Sequence, residues 1–202
     1  MSFVAASDAP CRVVKVGGSL LELPDLAERL RRWLGKQPPA TNVLLAGGGE
    51  LADEVRLWDE RFQLGQVKSH WLCIDLLDAT AGLLSALLPE ARPCRDYQAM
   101  RDAHRTFIFA PARFLRDQEA HLAGVPLPQS WDVTADSIAA RLAEVLDAGE
   151  LVLLKSSLPK SSRGRGRLDP DYVDRHFAQA AQSLSKVRLV NLCDTAFAEV
   201  AW

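Results

Sequence analysis

Val13-Val14-Lys15-Val16-Gly17-Gly18-Ser19-Leu20-Leu21 is a β-branched run carrying one lysine, broken by two glycines and resumed by leucines. The pattern predicts a buried strand, a turn on residues without a Cβ, and a helix shortly after. In such a turn backbone N–H groups approach an anion closely, and the lysine ammonium stands beside them; this is the outline of a phosphate cradle. The stretch matches neither the Walker A loop, G-x-x-x-x-G-K-S/T, nor the dinucleotide fingerprint G-x-G-x-x-G. A strand–glycine–helix turn also serves tight packing, so the neighbouring sequence has to decide between the two readings.

Outward from that stretch, Pro24 opens a predicted helix over 24–34, with Leu26, Leu30 and Leu34 on one face. Gly35 and Pro38-Pro39 end it. A short apolar strand over 42–46 does not alternate, as expected of a parallel strand covered on both faces. Gly47-Gly48-Gly49 follows at once, then a helix over 50–62. The strand–glycine–helix device therefore occurs twice, at the same end of adjacent parallel strands, and two such loops would line one crevice. Lys15 lies inside the first of these strands. A buried ammonium is costly unless it is paired or meets an anion; the alternative is a strand-end lysine whose head reaches solvent.

A largely buried helix is predicted over 67–88, with Asp75 and Asp78 on one face, either toward a pocket or marking the wet side. Pro89 and Pro93 end it. A strand over 106–110 and a short helix over 111–115 follow, then a loop over 116–130. Asp132 or Thr134 caps a helix that runs to Leu146. After Gly149 come a strand over 151–154, a Ser/Gly/Arg-rich loop over 155–168, a helix from Asp169 or Asp171 to Leu184, and a strand over 187–192. Residues 196–202 receive no assignment. Strands and helices alternate, so the expected class is α/β, with a mainly parallel sheet and helices on both faces. Without a repeat or a linker, residues 1–202 are expected to form one domain.

The composition is ordinary: 48% hydrophobic and 25% charged, with a net charge of −2. That balance argues against nucleic acid or a membrane surface as a general partner. Residues 1–10 carry neither a basic nor an apolar leader region, and no run is expected to span a bilayer. Cys11, Cys73, Cys94 and Cys193 match neither a zinc pattern nor C-x-x-C, so reduced, buried thiols in a cytoplasmic protein are expected. His70, His104, His121 and His176 show no metal spacing, and no nucleophile elbow is present.

Asp136 falls in the first turn of its helix, where the dipole favours a carboxylate whatever its role; its functional reading is to hold Lys15 or a Mg²⁺-bound phosphate. Lys155, Lys160, Arg163, Arg165 and Arg167 follow a predicted strand without an intervening acid. They fit a basic lid over a triphosphate, since phosphoryl transfer is mostly positioning and charge neutralisation. A solvated face or an Arg-Gly nucleic-acid tail are the other readings.

With these residues in view, the chain resembles the amino acid kinase family. Three blocks carry the match: Lys15-Val16-Gly17-Gly18-Ser19-Leu20, Ala46-Gly47-Gly48-Gly49-Glu50-Leu51-Ala52, and Thr134-Ala135-Asp136-Ser137. The resemblance implies an αβα sandwich of the carbamate-kinase type and an ATP- and Mg²⁺-dependent kinase, expected to be a homo-oligomer acting on a small phosphorylated molecule, a phosphomonoester ahead of the carboxylate that the family also allows. It implies that Lys15 and Asp136 are catalytic, Asp136 orienting the lysine. Gly17, Gly18 and Ser19, with Lys155, Lys160 and Arg163, would hold the nucleotide. Gly47, Gly48, Gly49, His70, Asp78 and Thr134 would hold the acceptor, and no protein-held metal site is expected. Ser69-His70, Asp78 and Ser130-Trp131 are most similar to the small kinases of methanofuran biosynthesis, whose acceptor is an aminomethylfuran-methyl phosphate. After the fourth strand the family carries a Thr-Asp-Val-Asp-Gly-type segment, whereas this chain has Lys155-Ser156-Ser157-Leu158-Pro159-Lys160. Either the basic loop replaces the missing contacts or the chain is a non-catalytic binding subunit on the same fold.

Overall fold

The computed structural model describes residues 10–100, 105–159 and 172–202. The alternation read from the sequence becomes a seven-stranded sheet of β1 (Cys11–Val16), β2 (Thr41–Ala46), β3 (Arg92–Cys94), β4 (Thr106–Phe109), β5 (Glu150–Lys155), β6 (Val187–Asn191) and β7 (Glu199–Ala201). Its order is β3-β4-β2-β1-β5-β6-β7, and every pairing is parallel except β6 with β7. The helices are α1 (Leu26–Gly35), α2 (Glu50–Phe62), α3 (Gln66–Leu87), α4 (Ala112–Asp117), α5 (Ala135–Val145) and the single turn α6 (Phe177–Ala180).

Because successive side chains in a strand point to opposite faces, β1 divides its valines between two cores. Val13 packs with Val43, Leu45, Phe107, Leu151 and the α5 residues Ile138 and Leu142. Val14 and Val16 pack with Leu44, Val152, Leu154 and the α1 residues Leu26, Leu30 and Trp33. Strand β1 is thus covered on both faces, which explains why its valines do not alternate with polar residues. The result is the expected three-layer αβα sandwich.

The structure corrects several expectations. Strand β3 was not foreseen: it is three residues long and contains Pro93, which a sheet accepts only at an edge. Strand β7 gives the unassigned C-terminal residues an antiparallel place on β6. The helix expected up to Leu184 shrinks to α6, since Tyr172 and Asp174 are held by bonds to other elements. Helix α1 starts at Leu26 rather than Pro24, after a 3₁₀ turn over Gly18–Glu22. Helix α3 is, by length and composition, apolar enough to cross a membrane, contrary to expectation. Here Ile74, Leu77, Ala81 and Leu84 pack it into the two cores. The four cysteines are free, as expected, but half-buried rather than buried.

Candidate active site

Strand β1 lies at the middle of the sheet, with β2 on one side and β5 on the other. The chain builds one flank after β2 and the other after β5, so the carboxyl ends of these three strands bound a crevice where α/β proteins bind ligands. Both glycine loops open there. They touch: a Cβ on Gly18 would lie 2.4 Å from the Gly49 nitrogen, and one on Gly47 would lie 2.8 Å from the Gly18 nitrogen. Gly49 also sits at φ +59°, a left-handed conformation that favours glycine. Tight packing and ligand access therefore coincide. The Gly17 N–H donates to the Leu154 carbonyl and the Gly47 N–H to the Val16 carbonyl, each at 2.8 Å, which fixes both loops on the sheet. Among the described residues the N–H groups of Gly18, Gly48 and Gly49 donate to no backbone carbonyl. Ser19 Oγ donates to Ser156 Oγ at 3.3 Å, tying the first loop to the segment after β5.

Lys15 does not reach out to solvent. It is buried, and its Nζ lies 2.8 Å from Asp136 Oδ1. The other carboxylate oxygen, Oδ2, accepts from Lys155 Nζ at 2.7 Å. One buried carboxylate thus holds two ammonium groups. Burial would push the Asp136 carboxyl up, but the two lysines outweigh it and hold the pKa below the ordinary value. Lys155 is drawn down to about 8, by burial first and by the Lys15 charge second, with Asp136 opposing. Its Nζ also donates to the Tyr172 carbonyl at 3.0 Å. While Lys155 is protonated, the three groups carry one net positive charge beside the unspent loop amides, which is an anion site in chemical terms.

Asp136 is placed by the start of α5, which is buried along nine consecutive residues from Ala135 to Ala143. Thr134 is the N-cap, its Oγ1 accepting from the Asp136 N–H at 3.3 Å. A residue missed by the sequence reading completes this end. Asp174 accepts from the Thr134 N–H at 2.9 Å, the Thr134 hydroxyl at 2.8 Å and the Ser137 N–H at 3.0 Å, and from the Ser137 hydroxyl. Nothing in its sequence neighbourhood announced that role; Asp169 and Asp171 looked like equivalent helix starters.

A pocket continues from the second glycine loop. Gly48, His70, Trp131 and Thr134 line it together with Ile74, Leu77 and Ile138. The His70 ring contacts the Ser130 carbonyl through Nδ1 at 3.2 Å, and burial lowers its pKa against the opposing pull of that carbonyl; the net shift favours the neutral imidazole. Trp131 Nε1 donates to Asp59 at 2.8 Å, and the Arg56 guanidinium stacks 5.3 Å over its ring. Neither Asp59 nor Arg56 was anticipated.

Of the expected site residues, Lys15, Gly17, Gly18, Ser19, Gly47, Gly48, Gly49, Asp136 and Lys155 converge on the crevice, and His70 and Thr134 stand in the adjoining pocket. Asp78 is not among that pocket's lining residues. It accepts from the Ala112 N–H at 2.9 Å at the start of α4, and its other oxygen lies 4.0 Å from Arg95. Lys160, Arg163, Arg165 and Arg167 lie outside the described residues. Among the described residues no cluster of three His, Cys, Asp or Glu side chains is arranged to hold a metal ion.

No protein-family profile matches the chain. In sequence it is similar to the (5-(aminomethyl)furan-3-yl)methyl phosphate kinase of Methanocaldococcus jannaschii, 27% identical over 142 residues. The match takes in 70% of this chain and 63% of that protein, so it spans less than two thirds of the relative's length. In structure it is similar to the uridylate kinase of Archaeoglobus fulgidus, with a TM-score of 0.59 and 16% identity over 87% of this chain and 88% of that one. The UMP kinase of Bacillus anthracis gives a TM-score of 0.59 at 13% identity over 93% and 89% of the two chains. That of Ureaplasma parvum gives 0.57 at 12% over 90% and 89%. The chain therefore has the amino acid kinase fold seen in the UMP kinases and is similar in sequence to a phosphate kinase.

Proposed function

We propose that this chain is an ATP-dependent kinase that transfers the γ-phosphoryl group to a phosphomonoester. The observation that carries the reading is Asp136 holding both Lys15 and Lys155 beside two glycine loops in contact. A non-catalytic subunit would have no need to keep a buried and a half-buried ammonium group on one buried carboxylate. Transfer would be direct and in line, with no covalent intermediate. Lys15, Lys155 and the Gly18, Gly48 and Gly49 amides would neutralise charge on the phosphoryl oxygens as it spreads in the transition state.

Asp136 has both oxygens committed to lysines, so in this reading Mg²⁺ enters with the nucleotide as Mg·ATP instead of being held by a protein cage. The acceptor would sit between Gly48, His70, Trp131 and Thr134, where a flat ring can lie among Ile74, Leu77 and Ile138 with its phosphate toward the second glycine loop. The first acceptor to assay is (5-(aminomethyl)furan-3-yl)methyl phosphate, the compound in the relative's name, which would give the diphosphate. The same reading places the activity in the cytoplasm, where ATP and free thiols coexist.

The test combines nucleotide-dependent stability with turnover in wild type and Lys15→Ala. Binding at 100 times Kd adds about 2.7 kcal/mol to stability, visible as a rise of several degrees in Tm. We expect wild type to show that rise with Mg·ATP, and Lys15→Ala to lose it along with about 10²–10³ in kcat. Unaltered turnover in a folded Lys15→Ala protein would overturn the assignment.

A further inference from the structure

In the pocket beyond the second glycine loop, the polar side chains are largely committed to one another. The Trp131 indole N–H donates to Asp59 at 2.8 Å. The Thr134 hydroxyl donates to Asp174 at 2.8 Å and accepts from the Asp136 N–H at 3.3 Å. Arg56 is paired with Asp53 and stacked over Trp131. Among the described residues no carboxylate lines the pocket. His70 is the exception. It is buried, and its Nδ1 lies 3.2 Å from the Ser130 carbonyl. A carbonyl oxygen only accepts, so Nδ1 carries the hydrogen, and Nε2 of the neutral ring keeps a lone pair. Among the described residues no hydrogen bond reaches that nitrogen. The pocket therefore offers a ligand two unlike partners. Gly48 contributes an uncommitted N–H donor, which suits a phosphate, and His70 contributes an acceptor that lacks a donor. Ile74, Leu77 and Ile138 supply the apolar wall.

We propose that His70 determines which phosphomonoester the pocket accepts, its Nε2 taking a hydrogen bond from an amino group that the acceptor carries away from its phosphate. The proposal rests on the reading of this pocket as the acceptor site, and adds the chemistry by which that site tells one acceptor from another. An ammonium group has three N–H donors and no lone pair, so it asks for nothing the pocket lacks. A hydroxyl would bring an oxygen in need of a donor, and the donors of Trp131, Thr134 and Arg56 are already engaged. A carboxylate or a second phosphate would set lone pairs against the lone pair of Nε2. The bond from an ammonium to the imidazole is charge-assisted, and the ligand's own phosphate answers its charge.

The arrangement needs the imidazole uncharged, since a protonated ring would present a second N–H and a like charge. Burial lowers the His70 pKa and so works in that direction. Four groups surround the ring. Cys73 stands beside it on α3, and Arg56 comes from α2 with Asp53 as its partner. Glu119 lines a smaller cavity that His70 also borders and is held by Arg141 at 2.7 Å, and Asp59 is committed to Trp131. Among the described residues none of them hydrogen-bonds to the ring.

The test reads binding instead of turnover, so that it can fail apart from the reaction. The probes are (5-(aminomethyl)furan-3-yl)methyl phosphate and the same phosphate with a methyl group in place of the aminomethyl group, each titrated calorimetrically into the full chain. Wild type should bind the amine about 10–100-fold more tightly than the methyl compound. His70→Phe should bring the two dissociation constants within about threefold of each other by weakening the amine alone. His70→Gln, whose amide oxygen still accepts, should keep part of the preference. Circular dichroism checks that the variants are folded, and wild type alone supplies a second readout. Its preference for the amine should shrink in acid, as pH falls below the ring's ordinary 6.5 and through its lowered value. The methyl compound corrects for titration of the phosphate itself. Equal binding of the two phosphates, an unchanged preference in folded His70→Phe, a preference indifferent to acid, or no binding of either compound would overturn the proposal. Selective binding of the amine without phosphoryl transfer from Mg·ATP would overturn the kinase reading and leave this one standing.

Discussion

Asp136 divides its two oxygens between Lys15 and Lys155, and the two lysines are not equivalent. Lys155 is the one brought near neutrality, to about 8. It should therefore act as the titrating member of the anion site: above that pH the group of three loses its excess positive charge. Mg·ATP affinity is expected to fall as pH rises through about 8 in wild type and to stay flat in Lys155→Arg, whose guanidinium remains charged. Stability should move the other way. Between about 8 and the ordinary value of 10.5 the unfolded chain binds the proton more tightly than the folded one. Stability contributed by Lys155 therefore rises with pH across that window. Calorimetric titration of nucleotide alongside thermal melts from pH 7 to pH 10 would separate the two trends, and a wild-type affinity independent of pH would refute the assignment. Lys15 was legible in the sequence because a lone charge in an apolar run must find a partner. Lys155 was read as the first residue of a basic loop, since nothing local reveals that β5 ends beside the start of α5. Asp78 shows the converse: a carboxylate on an apolar helix looks the same in sequence whether it faces the pocket beside the glycine loop or, as here, the N–H of Ala112.

Two local devices keep these residues in place. The first is the backbone contact of the glycine loops. An added Cβ at Gly18 would collide with the backbone of Gly49, which has no flexible side chain to give way. Gly18→Ala is expected to push the loops apart, abolish the Mg·ATP stabilisation, and lower Tm even without nucleotide; a melting curve with and without Mg·ATP checks both. The second device is Asp174 at the start of α5. Asp174→Ala leaves the Thr134 and Ser137 donors without their acceptor, and should cost about 1–2 kcal/mol, or roughly 2–8 °C in Tm. It should also weaken nucleotide binding, because Asp136 sits in that first turn. Strand β2, a short unalternating apolar run, and helix α2, which follows the glycine triplet, were readable from the sequence alone. Strand β3 and the single turn of α6 were not, because a three-residue edge strand and a segment pinned by Lys155 and Asp174 owe their form to distant partners.

Across the whole molecule, charge is used in opposite ways at the two ends of the sheet. At the amino ends of the strands Glu150 is buried and joins Arg12 at 2.5 Å, Arg188 at 3.0 Å and Lys186 at 3.1 Å. Arg12 goes on to the Asn42 side chain at 2.8 Å, and Arg188 to Glu199 at 2.7 Å, so a single network clamps β1, β2, β5, β6 and β7. This end ties five strands together through its charges, whereas at the carboxyl end, in the reading proposed above, the paired ammonium groups and the unspent amides are left for a ligand. The two should separate experimentally. Burial would raise the Glu150 pKa, but its bonds to Arg12 and Lys186 and the nearby Arg188 hold it below the ordinary 4.5. Its stabilisation is therefore complete above that value and is lost as pH falls through the lower folded pKa. Glu150→Gln leaves Arg12 buried without its counter-charge, and is expected to cost about 3 kcal/mol, or roughly 10 °C in Tm at pH 7. Its melting temperature should vary less with acid than that of wild type, while kcat per folded molecule stays unchanged. A Glu150→Gln protein with wild-type stability and impaired turnover would mean that the two ends of the sheet are coupled and that the clamp belongs to the reaction after all.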